Sequence, residues 1–82
     1  MQGQIPAPQT DEAIAHYRQA LRARPASAEV EYNLGLALLQ QGNASEAITH
    51  LQHANELTGN ANPTFLRTLA AARAYQSGFP PR

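Results

Sequence analysis

The sequence has no cysteine. That removes a disulfide framework, a thiolate nucleophile and any sulfur ligand for a metal. Lysine is missing too, and all six cations are arginine, a bias that fits a GC-rich bacterial coding sequence and says nothing about activity. Six basic residues balance six acidic ones, so the formal net charge is zero and no long-range field favours nucleic acid or an anionic membrane. No apolar run approaches the roughly 18 residues that would cross a bilayer. The first residues lack both the basic segment and the apolar core of a signal peptide, so the expected compartment is the cytoplasm. Size is limited as well. A chain of 82 residues makes one small domain, which buries about 60–65% of the surface its unfolded form exposes.

What the chain does contain is helical periodicity. In residues 28–61, Val30, Leu34, Leu38 and Gln41 follow at steps of three or four, and Ala47, Ile48, Leu51, Ala54 and Leu57 do the same. Between the two runs Gly42 reads as a helix stop and Asn43 as an N-cap, with Glu46 three residues on. The spacing predicts a helical hairpin. A helix before it is expected over Asp11–Ala23, capped by Thr10, stopped by Pro25 and carrying Ala13, Ile14, Tyr17, Ala20 and Leu21 on its apolar face. Ser27 caps the next helix and Gly59 stops the third. Asn62 and Pro63 open a fourth that runs to about Ser77. Pro6 and Pro8 mark residues 1–10 as a disordered lead or an expression remnant. The helical domain is expected over 11–79 and a disordered tail over 80–82.

The hairpin repeats. Moved back by 34 residues, Glu46, Ala47, Ile48, His50 and Ala54 fall on Glu12, Ala13, Ile14, His16 and Ala20, and Leu51 falls on Tyr17. Moved forward by 35, Leu34 and Gly35 meet Leu69 and Ala70. Helix pairs with a period in the mid-thirties mark a solenoid. The chain here resembles the tetratricopeptide repeat family. Where that family's pattern has a large apolar residue, Leu-Gly, an aromatic, Ala, an aromatic, Ala and Pro, this chain holds Glu31, Leu34-Gly35, Leu38, Ala47, Leu51, Ala54 and Gly59. The preceding half-repeat offers Ala13, Tyr17, Ala20 and Pro25. Glu31 stands where the family has Trp, and Gly59 where it has Pro. The resemblance implies an all-α fold of about four helices, antiparallel hairpins stacked as a short right-handed solenoid, with one complete repeat between two half-repeats.

It also implies a protein-interaction scaffold that binds a peptide or protein on its concave face. Carried over by position, that lining is Tyr32, Asn33, Leu36, Leu39 and Gln40 with Glu29, then Arg67, Ala71 and Tyr75 with Thr64, Thr68 and Ala74. Leu36 and Leu39 could equally pack on a neighbouring helix. Family members that hold a chaperone's terminal carboxylate need paired basic residues where this chain has Thr64 and Thr68, so that subclass is disfavoured. The alternative is self-assembly. The first helix would lack a preceding partner and the fourth a following one, leaving Ile14, Tyr17, Leu21, Leu66, Leu69 and Phe79 to join copies into a homodimer.

Catalysis finds no support in the residues. Neither a Ser-His-Asp nor a Cys-His arrangement can be assembled, and no glycine-rich phosphate loop exists. The acidic pairs Asp11-Glu12 and Glu29/Glu31 sit at helix starts, where the helix dipole accounts for them. Asn43-Ala44-Ser45 matches a glycosylation sequon, but capping explains it without a secretory route. His50 and His53 share a helix face and could offer two imidazoles to a metal, yet a third ligand is lacking. They read as solvated surface residues, and His16 repeats His50 by duplication. No cofactor is expected.

Overall fold

The computed structural model describes residues 7–77 and contains four helices: α1 (Ala7–Ala23), α2 (Ala28–Gln40), α3 (Ala44–Leu57) and α4 (Pro63–Gln76). Among the described residues there is no strand. Each junction follows from local chemistry. The Val30 N–H donates to Ser27 Oγ at 3.3 Å, that of Glu46 to Asn43 Oδ1 at 3.4 Å, and that of Phe65 to Asn62 Oδ1 at 3.1 Å. Pro63 opens α4, where a missing N–H costs nothing. Gly42 and Gly59, with φ of 87° and 68°, take the left-handed conformation that ends α2 and α3.

α1 begins earlier than the sequence suggests. It starts at Ala7 instead of Asp11, so Thr10 lies inside the helix and residues 7–10 do not belong to a lead. The reason is positional. Pro8 falls in the first turn, where backbone donors have no intrahelical acceptor, so proline starts this helix instead of blocking it. Residues 1–6 and 78–82, including Phe79, lie outside the described residues.

Consecutive helices pack against one another, α1 on α2, α2 on α3 and α3 on α4. Ile14, Leu34, Ala37, Leu38 and Ala47 form one buried cluster, flanked by Tyr17, Leu21 and Leu39. Leu51, Leu69 and Ala72 form a second, flanked by Tyr32, Leu39 and Ile48. Leu39 therefore bridges the two. Polar ties fix the outer helices. Arg18 pairs with Glu46 at 2.9 Å, and Gln41 donates to Asp11. Buried Asn55 donates to the carbonyls of Leu51 at 2.9 Å and Phe65 at 3.2 Å, stitching α3 to α4.

The tightest point is Gly35. A Cβ placed there would stand 2.7 Å from Leu51 Cγ and 3.3 Å from the Ala47 carbonyl oxygen. Alanine favours a helix over glycine by about 1 kcal/mol, whereas overpacking a filled contact costs about 1–3 kcal/mol. Gly35→Ala should therefore lower the melting temperature, and Gly35→Leu should lower it further. In the Leu51→Ala background the same Gly35→Ala change should cost less, because the space it needs is then open. A rise in melting temperature for Gly35→Ala alone would refute this contact.

Candidate functional site

The period of α4 places Thr68, Ala71, Ala72 and Tyr75 on one helical face, at steps of three, one and three. With Leu39 from α2 and Arg67 beside them, they line a hollow of about 480 Å³. Ala71 and Ala72 create the space because their side chains stop at Cβ. Tyr75 stands at its edge, 61% exposed. Arg67 supplies the charge there, is exposed, and makes no ion pair among the described residues. One wall is fixed by Tyr32, whose hydroxyl lies 3.0 Å from that of Thr68 and whose ring stacks on Phe65 with centroids 4.3 Å apart.

The set of residues expected on one binding face thus divides. Leu39, Arg67, Ala71 and Tyr75 come together at this hollow. Tyr32 does not join them as a free anchor, because stacking and its hydroxyl contact already engage both its ring and its polar end. Asn33, Leu36 and Gln40 instead line a second hollow of about 330 Å³, between α1 and α2, with Thr10, Ala13, Tyr17 and Ala37. Sequence reasoning missed Ala72 and Ala37. Both are buried alanines one residue from positions it named, and alanine carries no signal of its own.

The residues expected to join copies are mostly engaged inside the chain. Ile14 and Leu69 are 7% and 8% exposed and belong to the core clusters. Tyr17 and Leu21 are half-buried against the first cluster. Within the chain α2 covers much of the apolar side of α1, while Ala13 and Tyr17 stay half-buried at the edge of the second hollow. Leu66, 41% exposed, is the one member of that set left open among the described residues.

A second polar feature was misread from sequence. Glu31 is 4% exposed. Its Oε1 lies 2.6 Å from His50 Nδ1 and its Oε2 2.8 Å from His53 Nδ1. An ionised carboxylate only accepts, so each ring carries its proton on Nδ1. His50 Nε2 stands 3.5 Å from Glu46, which holds Arg18 at 2.9 Å, so the chain of charges crosses α1, α2 and α3. His50 and His53 are therefore not merely solvated, and the helix dipole does not account for Glu31. Among the described residues no group of three or more His, Cys, Asp or Glu side chains is placed to hold a metal. The Glu46 carboxyl is held below the ordinary value of 4.5, first by the hydrogen bond from Arg18 and further by that cation's charge and by His50, with burial opposing them.

Two predictions follow from this network. Glu31→Gln removes the charge from two hydrogen bonds in a buried site, where charge-assisted bonds are worth about 1.5–3 kcal/mol. Urea denaturation should show a loss of that order, against less than about 0.5 kcal/mol for exposed Glu56→Gln. Equal effects of the two substitutions would contradict the buried role of Glu31. For Glu46, a depressed folded-state pKa means stability that is present above pH 4.5 and is lost as pH falls through the folded value. The melting-temperature gap between wild type and Glu46→Gln should thus be open at neutral pH, close in acid and shrink in salt, since both partners are partly exposed. A gap that persists unchanged in acid would count against the pair.

Among the described residues no helix is long and apolar enough to cross a membrane. A family profile described as TPR repeat matches residues 9–42, and one described as tetratricopeptide repeat matches residues 28–60. No curated protein matches the chain.

Proposed function

Since the chain belongs to the tetratricopeptide repeat family by matches that together span residues 9–60, we propose that it is a non-catalytic interaction module that takes a peptide or protein segment on its concave face, chiefly in the hollow between α2 and α4. The carrying observation is an apolar hollow with an exposed tyrosine at its edge and an arginine that makes no ion pair among the described residues. Tyr and Arg are the residue types that most often dominate binding energy, because each combines large contact area with directed polar groups. Leu39 and the two alanines offer a floor for one apolar side chain of the partner. Arg67 then favours a neighbouring carboxylate. Repeats of this family generally mediate protein–protein interaction, which supports the reading. The contact of Tyr32 with Thr68, which lines the hollow, supports it further, since a side already held in place needs little reorganisation on binding.

The test is an array of short peptides in which an apolar residue adjoins an acidic or a basic one, followed by calorimetry on the strongest binder. Apolar-acidic peptides should be preferred. Tyr75→Ala and Arg67→Glu should each weaken binding at least tenfold, about 1.4 kcal/mol. Gln52→Ala, on the opposite helix layer, should leave it unchanged. Binding that ignores both Tyr75→Ala and Arg67→Glu would overturn the site.

A further inference from the structure

We propose that copies of this chain associate head to tail, α4 of one docking on α1 of the next in the relation that α2 bears to α3. Within the chain, α2 meets α3 through three positions. Glu31 takes His50 and His53, Gly35 meets Leu51 and Ala47, and Leu38 is buried with Ala47. The repeat register carries those three positions to Leu66, Ala70 and Arg73 on α4, and all three are exposed. α4 therefore presents the face with which α2 packs on α3, and among the described residues nothing covers it.

α1 presents the other half. By the same register, Ala13 and Tyr17 stand where Ala47 and Leu51 stand in α3, and Leu36 and Ala37 where Ala71 and Ala72 stand in α4. Across Leu51 and Ala72 lies α2, whose Tyr32 and Leu39 pack on them. Across Ala13, Tyr17, Leu36 and Ala37 lies the α1–α2 hollow of about 330 Å³. It is the seat of a helix of the α2 and α4 type, one repeat earlier.

Charge selects α4 as the occupant. Antiparallel pairing brings the C-terminal half of α4 onto the N-terminal half of α1, which sets Arg73 beside Glu12. Both are exposed and neither makes an ion pair among the described residues. Glu12 occupies the register place of Glu46, which binds Arg18 within the chain. Leu66 would lie over His16 and Gln19, as Glu31 lies over His50 and His53. The fit is looser than its template. Ala70 faces Tyr17 where Gly35 faces Leu51, and a Cβ at Gly35 already comes within 2.7 Å of Leu51. The helices between copies must stand further apart, so the contact is reversible and depends on concentration. Unlike faces meet, so the contact does not close by two-fold symmetry and can extend into strings.

Sedimentation equilibrium on the full chain without peptide tests this by mass alone; by the same register Arg67 takes the place of Tyr32 and enters the contact between copies, so the variants leave Tyr75 and Arg67 in place. The wild-type mass should rise from 8.9 kDa past twice that value with concentration. Leu66→Glu blocks the α4 face and Ala13→Arg the α1 face, and each variant alone should stay at 8.9 kDa while keeping wild-type helicity. Mixed in equal amounts they should reach two chains and stop, since each retains one good face. Arg73→Glu and Glu12→Arg should each weaken association at least tenfold, and the two reversals in one chain should restore it. A wild-type mass fixed at 8.9 kDa up to millimolar concentration would overturn the proposal. So would a single blocked variant that still dimerises, which would mean like ends pairing, or double reversal without restoration.

Discussion

Leu51 packs into the space that Gly35 leaves by having no side chain, and that contact sets the spacing of the whole stack. Among the described residues the α2–α3 hairpin is the one complete repeat pair, and α1 and α4 pack on either side of it. Close approach lets Leu34, Leu38 and Leu51 reach full burial. Ala47, Ala54 and Ala72 are nearly solvent-free for the same reason, since at this spacing a methyl group fills the gap. The core is therefore built from small residues and a few leucines. Such a core tolerates little added volume at its centre, yet leaves hollows wherever alanines reach the surface.

Glu31 meets the same spacing with different chemistry. The repeat pattern has a large apolar residue at this position, and here a carboxylate is taken almost completely out of water. An ionised carboxylate in that environment is costly unless its oxygens are satisfied. His50 and His53 satisfy both, from successive turns of α3, so Glu31, His50 and His53 act as one unit and a change at any of them is a change at all three. The connection through Glu46 to Arg18 extends the unit to α1. A polar junction thus holds three helices together at a position where other members of the family use a packed ring.

The parts legible in the sequence were those that depend on periodicity and local caps. Ser27, Asn43 and Asn62 each cap the helix they precede, because capping needs only a side-chain oxygen and a backbone N–H three residues on. The repeat register, read from Glu12-Ala13-Ile14 and Glu46-Ala47-Ile48, also transferred, because equal spacing buries equal faces. What failed depended on partners distant in sequence. Glu31 lies 19 residues from His50 and 22 from His53, and neither distance carries a signal without the fold. Ile14 and Leu69 looked like open ends because the register names a missing neighbour, but not the share of each face that the existing neighbour already covers. Leu57 failed in the other direction. It matches the apolar period of α3 and is nevertheless 43% exposed, because α3 has ended before another helix crosses it. At the candidate site the family register puts Tyr32 on the concave face, but its stack on Phe65 requires both rings to be placed in space.

The stack on Phe65 has a consequence for the binding face. Tyr32 and Thr68 meet through their hydroxyls, and Asn55 holds the Phe65 carbonyl from the opposite side, so the first turns of α4 are held from two directions. Beyond that anchor the buried residues of α4 are Leu69 and Ala72 alone, and its last turn carries the exposed Tyr75. The far end of α4 is tied as well, because Gln76 donates to Ser45 Oγ at 2.7 Å, and the hollow lies between the two ties. Its floor, made by Leu39 and Ala72, is set by the core, while the exposed Tyr75 side chain at its edge can change rotamer. That division suits recognition of one apolar side chain by a formed floor, with the surrounding polar contacts adapting to the rest of the partner.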